Sequence, residues 1–303
     1  MTTTSCRTTG QSYYEANALK RITSLLDPGS FHEIIRPEEK ISSPHLRILG
    51  QPCSFNDGII VGAGRLAGKK VLIAGQEGGF MGGAVGEVHG AKLTGLLQRA
   101  TEEGPDGVLL LLESGGVRLH EANAGLIAVS EIIRSVLAAR VAGVPVIGLI
   151  GGVYGCFGGM GIVARCCNAL IISEEGRMSL SGPEVIETTM GVEEFDAGDR
   201  ALVWRTVGGK HRYLIGEVQR LVDDDVAAFR AAAIELLNDP RPLSLEELQK
   251  EHGMLADRLK NCSSAYDAID IWHTMGIAEP ETLPLLDTAA FHKAVQHVYR
   301  GAA

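Results

Sequence analysis

Glu113-Ser114-Gly115-Gly116-Val117-Arg118 directly follows an apolar run at 108–112, and a helical pattern begins behind it. Further along, a second apolar run at 144–150 enters Gly151-Gly152-Val153-Tyr154-Gly155-Cys156-Phe157-Gly158-Gly159-Met160-Gly161, again with a helical pattern behind it. Short apolar runs bounded by glycine read as strands buried on both faces, as in a parallel sheet. Each glycine-rich stretch is therefore a turn from strand to helix. Glycine has no Cβ, so backbone N–H groups there lie open to a ligand. Two such turns on neighbouring strands can aim two N–H groups at one oxygen, which is what an oxyanion hole requires. One Gly-Gly after a strand is more simply a tight turn. It is the ordered pair that points to function.

The same alternation extends in both directions. Helical spacing over 14–26 puts Ala18, Ile22, Leu25 and Leu26 on one face and stops at Asp27-Pro28-Gly29. Residues 31–50 read as irregular. Strands are expected over 55–66 and 70–76, joined at Ala67-Gly68-Lys69. The loop Gly78-Gly79-Phe80-Met81-Gly82-Gly83-Ala84 then leads into a helix over 85–101. A strand over 107–112, a helix over 122–142, a strand over 144–150 and a short helix near 158–166 follow. Strands over 169–173 and 177–180 come next, and Ser181-Gly182-Pro183 starts a helix over 184–190. Residues 192–222 show little regularity. A helix over 223–237 begins on Asp223-Asp224-Asp225, negative charge at the positive end of a helix. Asn238-Asp239-Pro240-Arg241-Pro242 reads as a linker, and Ser244 stands at capping-box spacing from Glu247. The expected organisation is a flexible N-terminus (1–12), one α/β domain (13–240) and a helical C-terminal extension (241–303) used for packing or an interface. Strand-strand-helix units of this kind give an α/β core.

Composition narrows the function classes. The 303 residues include 38 glycines, roughly one in eight against a usual value of about 7%. They concentrate between Gly58 and Gly191, so they mark a loop-bearing core and not a linker. The net charge of −9 and the lack of a Lys/Arg block argue against a nucleic-acid surface. Six cysteines form no C-x-x-C pair, which argues against a zinc ribbon, so no metal site is expected. No apolar run reaches the ~18 residues of a membrane span, and 1–10 carry no apolar signal segment. A cytoplasmic protein with reduced thiols is expected.

Five stretches in order then carry a resemblance: 22–31 (ITSLLDPGSF), 80–86 (FMGGAVG), 114–118 (SGGVR), 151–155 (GGVYG) and 181–187 (SGPEVIE). Together they resemble the acyl-CoA carboxyltransferase family of the crotonase/ClpP superfamily, over about residues 14–237. Within it they look most like the β subunits of biotin-independent malonate decarboxylases. Two departures set this chain apart from the carboxylase β subunits: the absent zinc ribbon, and Val117 where Ser-Gly-Gly-Ala is usual. The resemblance implies a crotonase-like spiral of strand-strand-helix units. It also implies decarboxylation of a malonyl thioester carried on the phosphopantetheine-type arm of an acyl carrier protein, with no cofactor bound by this chain. Charge developing on the thioester oxygen would be held by backbone donors at Gly115, Gly116 or Val117 and at Gly155, Cys156 or Phe157.

The carrier arm is expected along Gly79, Phe80, Met81, Gly82, Gly83 and Tyr154. Lys69, Lys70 and Lys92 read as surface lysines, with phosphate contact as the alternative. Tyr154, His120, Glu121, His89 or water would protonate the enolate. Arg118 reads as a structural ion-pair partner. Cys156 has no histidine near it in sequence and reads as a poor nucleophile. Implied partners are a γ-type carboxyltransferase subunit, the acyl carrier protein and an acyl-carrier transferase subunit. A carboxyltransferase that exchanges the carboxyl group with biotin is the competing reading. A non-catalytic scaffold half and a crotonase-type hydratase using Glu113 and Glu121 are further alternatives.

Overall fold

Seven strands share one sheet, in the order in which the chain makes them. The computed structural model describes residues 10–239, 241 and 243–298. The strands are β1 (His32–Ile34), β2 (Ile59–Leu66), β3 (Lys69–Gln76), β4 (Gly107–Leu112), β5 (Val146–Ile150), β6 (Ala169–Ser173) and β7 (Arg220–Val222). β1, β2 and β3 pair antiparallel, and β3 to β7 pair parallel. Helices α1 (Ala18–Leu25), α2 (Pro44–Ile48), α3 (Glu87–Glu103), α4 (Ala124–Val141), α5 (Gly159–Cys166) and α6 (Pro183–Met190) come first. They are followed by α7 (Arg200–Val207), α8 (Gly209–Leu214), α9 (Val226–Asn238), α10 (Leu245–Cys262), α11 (Ala268–Thr274) and α12 (Thr288–Val295).

The side-chain period of two divides the core. Leu72, Ala74, Val108, Leu110, Leu112, Val146 and Ile150 face α3, α4 and α5. Val71, Ile73, Leu109, Leu111, Ile147 and Leu149 face α1 and α9. Parallel strands covered on both faces bury every residue, and all six residues of β4 are buried. Because α3, α4 and α5 connect consecutive parallel strands on one face, the chain advances like a spiral, as expected.

The differences lie in the segments read as irregular. β1 sits within 31–50 and β7 within 192–222, and they form the two edges of the sheet. Both are three residues long, too short to show a period. The expected strand at 177–180 is only two isolated bridges, from Met178 to Cys156 and from Arg177 to Gly208.

Residues 1–9 of the expected flexible N-terminus lie outside the described residues. The rest of it is tied down. Gln11 O accepts from Val226 N at 2.9 Å, and Ser12 Oγ donates to Asp224 at 2.5 Å. Asp224 therefore anchors the N-terminus, and Asp225 caps α9 through Ala227 N. At the expected linker, Pro240 and Pro242 lie outside the described residues, and Arg241 O accepts from Asn168.

Ser244 caps α10 as its spacing predicts. α10 buries no residue, but the segments after it fill the α3–α5 side of the core with Trp272, Leu283, Phe291 and Val295. Among the described residues no helix is long and apolar enough to cross a membrane.

Trp272 is 1% exposed, so Trp272→Ala is expected to cost about 3–5 kcal/mol in urea denaturation. Leu259→Ala, on the open face of α10, should stay within about 0.5 kcal/mol of wild type.

Candidate active site

The two glycine-rich turns meet above the ends of β4 and β5. Ser114 N donates to Gly155 O, and Phe157 N donates to Ser114 O, each at 2.8 Å, so the parallel pairing continues past the strands. A Cβ on Gly158 would stand 3.0 Å from Gly116 Cα, so the two backbones touch there. A third loop closes on them. Gly115 N donates to Gly82 O, Val85 N to Gly116 O and Arg118 N to Val85 O, each at 2.9 Å. Gly83 has φ +65°, and a Cβ on it would lie 1.9 Å from Glu113 O, so no other residue fits.

The hydrogen bonds of the N–H groups separate the candidates. Gly116 N donates to Ser114 Oγ at 3.2 Å and Gly155 N to Gly152 O at 3.2 Å. Cys156 N donates to Arg177 O and Gly158 N to Leu180 O, each at 2.8 Å. With Phe157 N on Ser114 O, the three residues expected to supply the second donor all have engaged N–H groups. Val117 N has no partner among the described residues. Neither have Gly159 N and Met160 N, the first two of α5. The ladder runs through Phe157, and the helix starts only after Gly158, at φ +61°. The first turn's open donor, Val117, is one the sequence suggested, whereas those of the second turn lie two and three residues beyond Phe157, the last of its candidates. The signal was the Gly158-Gly159 pair at the helix start, where orphan N–H groups are expected.

Behind the first turn runs a buried polar chain. The Glu113 carboxylate is buried and ion-paired with Arg21 from α1, and it also accepts Tyr154 N at 3.2 Å. Arg21 donates onward to Tyr13 O at 2.7 Å. Glu113 N donates to Gln76 Oε1 at 3.0 Å, and Gln76 Nε2 meets His89 Nε2 at 3.1 Å. His89 Nδ1 meets Asp57 O at 3.2 Å. Only one proton arrangement satisfies this chain: His89 is neutral, donates from Nδ1 and accepts at Nε2. Burial, with Arg118 nearby, pushes its pKa down to about 3, in agreement. Arg118 binds Asp57 Oδ2 at 2.7 Å and approaches Glu121 at 3.5 Å, so it has the structural role expected of it.

Other candidates sort by exposure. Cys156 is fully buried and burial drives its pKa upward, so the thiolate is suppressed. Lys92 is buried, donating to Asn56 O at 3.0 Å and Ile59 O at 2.8 Å, which removes it from the surface lysines. Among the suggested proton sources, His89 and Glu121 are buried, whereas His120 and Tyr154 are exposed. The Tyr154 ring lies against Gly78 and Gly82, Gly79 is exposed, and Phe80 and Met81 are half-buried beside it. Phe80 covers the Arg118 guanidinium at 5.2 Å. Among the described residues no three His, Cys, Asp or Glu side chains group as a metal site.

The model of the carboxyl transferase domain matches residues 15–235. The chain belongs to the carboxyl transferase family. It is 40% identical over 295 residues to the malonyl-S-ACP:biotin-protein carboxyltransferase MADC of Malonomonas rubra, covering 90% of this chain and 92% of that one. A chain of the Pseudomonas malonate decarboxylase hetero-tetramer in complex with malonate superposes with TM-score 0.80 at 35% identity, covering 88% and 98%. A chain of the Pseudomonas malonate decarboxylase MdcD-MdcE hetero-dimer gives 0.65 at 34%, covering 80% and 97%. These relatives bear out the crotonase-like spiral.

His89 should appear in heteronuclear NMR as the neutral Nδ1–H tautomer at pH 7, with no titration down to pH 5. Its unfolded imidazole takes up a proton near 6.5 and the buried one only near 3, so the stability it contributes falls as pH drops through that window.

Proposed function

We propose that this chain is the β-type subunit of a malonate decarboxylase, which converts a malonyl thioester on an acyl carrier protein to the acetyl thioester and CO2. The observation that carries this reading is the set of unengaged N–H groups, Val117 on one turn and Gly159 on the other, where the two turns touch. In this reading the thioester oxygen accepts from both. The bond to the carboxyl carbon breaks, CO2 leaves, and the electron pair forms an enolate whose charge rests on that oxygen. The N-terminus of α5 adds favourable partial charge. A proton delivered from the open side, where His120, Tyr154 and solvent stand, completes the acetyl group. Backbone donors held by this ladder need no reorganisation as charge develops.

The carrier's phosphopantetheine-type arm would run along Gly79–Gly83 and Tyr154. Leu119, Leu126, Ile127, Ile162, Leu180 and Val185 are exposed and apolar on elements next to the turns. A γ-type carboxyltransferase subunit fits that face, and the malonate decarboxylase hetero-dimer and hetero-tetramer support such a partner. A carrier protein and its transferase subunit complete the assembly, in the cytoplasm.

The relation to the Malonomonas enzyme favours a second reading, transfer of the carboxyl group to a biotin protein. The enolate step is common to both. Turnover of the purified complex should be insensitive to avidin; inhibition by avidin would establish the biotin-linked reading instead.

Val117→Pro deletes the N–H without breaking the Val85 pairing, which uses Gly116 O and Arg118 N. It should lower kcat by about 10²–10³ with little change in KM, whereas Val117→Ala should remain near wild type. A Val117→Pro enzyme of full activity would remove Val117 from the oxyanion hole.

A further inference from the structure

Arg177, like Arg140, meets no carboxylate among the described residues, in contrast to several other shielded arginines. Arg21, Arg118, Arg205, Arg212 and Arg258 each meet a carboxylate. Arg140 donates to Cys166 O, near the end of α4 remote from the turns. Arg177 stands beside the second turn. Its own carbonyl holds Cys156 N, and its Nη2 donates to Val153 O at 2.5 Å. Its Nε is buried without a partner, as are those of Arg118, Arg140 and Arg212, but no carboxylate among the described residues forms an ion pair with it and it stands beside the turns. The groups facing it are Glu184 from α6, Tyr14 and the cationic Arg200.

Two aromatic rings flank the guanidinium, Phe157 at 5.8 Å and Trp204 at 4.8 Å. Arg200, also without an ion pair among the described residues, lies 5.0 Å from the same Trp204 ring. A guanidinium taken partly out of water normally has a counter-charge. Cation–π contact offsets some of that cost, but it leaves the Nε–H without an acceptor. The planar fork suits a carboxylate or phosphate.

We propose that Arg177, backed by Trp204 and Arg200, forms an anion subsite beside the Val153–Tyr154 loop that receives an oxyanion of the acyl substrate. Two sources share that chemistry: the free carboxylate of the malonyl group and a phosphate of the carrier arm. The assignment of sources rests on the reading in the preceding subsection. The existence of the subsite does not, because binding of an anion is measurable without turnover.

The chain has two tryptophans, Trp204 and the buried Trp272, so emission from Trp204 reports the subsite. The native complex is titrated with malonate, with inorganic phosphate and with coenzyme A, at matched ionic strength against chloride. Saturable change in emission by at least one of the three is expected. Trp204→Phe should abolish it, and Arg177→Gln should weaken it about 10–100-fold, the size of a charge-assisted hydrogen bond. Arg177→Lys, which keeps charge but loses the fork, should fall between.

Malonyl and acetyl carrier thioesters then separate the sources. If the phosphate binds, Arg177→Gln weakens both alike; if the carboxylate binds, only the malonyl form weakens. Should Arg177→Gln fail to fold, Arg200→Gln and the wild-type titration carry the test. Unchanged emission with all three anions, or affinities equal in wild type and the Arg177 or Arg200 variants, would overturn the subsite. A loss of kcat in Val117→Pro with no anion binding at Arg177 would leave the decarboxylase reading standing and this one rejected.

Discussion

The ion pair between Glu113 and Arg21 is the constraint on which both turns depend. Glu113 directly follows β4, the middle strand of the sheet, and its carboxylate is closed off from water. An ionised carboxylate in such a place must be matched, because removing one partner of a buried pair costs about 3–5 kcal/mol. The match draws α1 against the end of the sheet and takes Tyr154 N from the second turn as well. Space for the carboxylate explains glycines that are distant in sequence. A Cβ on Gly152 would stand 2.3 Å from the Glu113 carboxyl carbon, and one on Gly78 would stand 2.7 Å from it.

From that pair the buried chain continues through Gln76 and neutral His89 to Asp57 and Arg118, which closes the far end of the first turn. The stretch Ser114 to Val117 is therefore held at both ends by buried charge. Between the ends, its only N–H group without a partner is Val117's. An arrangement of this kind keeps a donor in place while charge appears on a substrate, and it uses no titratable side chain to do so. Two further glycines serve contact: Gly158 lets its backbone touch that of Gly116, and Gly83 lets a third segment approach.

Much of the fold was legible from the chain alone, and for a simple reason. Strands buried on both faces must be continuously apolar, so 108–112 and 144–150 declare themselves, and glycine marks the end of each. β1 and β7 escaped because three residues at a sheet edge carry no period. The C-terminal segments looked like an appendage because prolines divide them. Yet Trp272 and Phe291 complete the core on the α3–α5 side, which only packing reveals.

The site divides in the same way. The sequence by itself determined that two glycine turns follow adjacent parallel strands and that the chain resembles carboxyltransferases. Which N–H groups are open was decided by tertiary structure alone. Ladder bonds from Arg177, Ser114 and Leu180 occupy Cys156, Phe157 and Gly158, and those acceptors come from elsewhere in the chain. Composition and spacing report where a backbone is bare. Whether its N–H still lacks an acceptor depends on every segment that folds against it, and no local reading of the sequence contains that information.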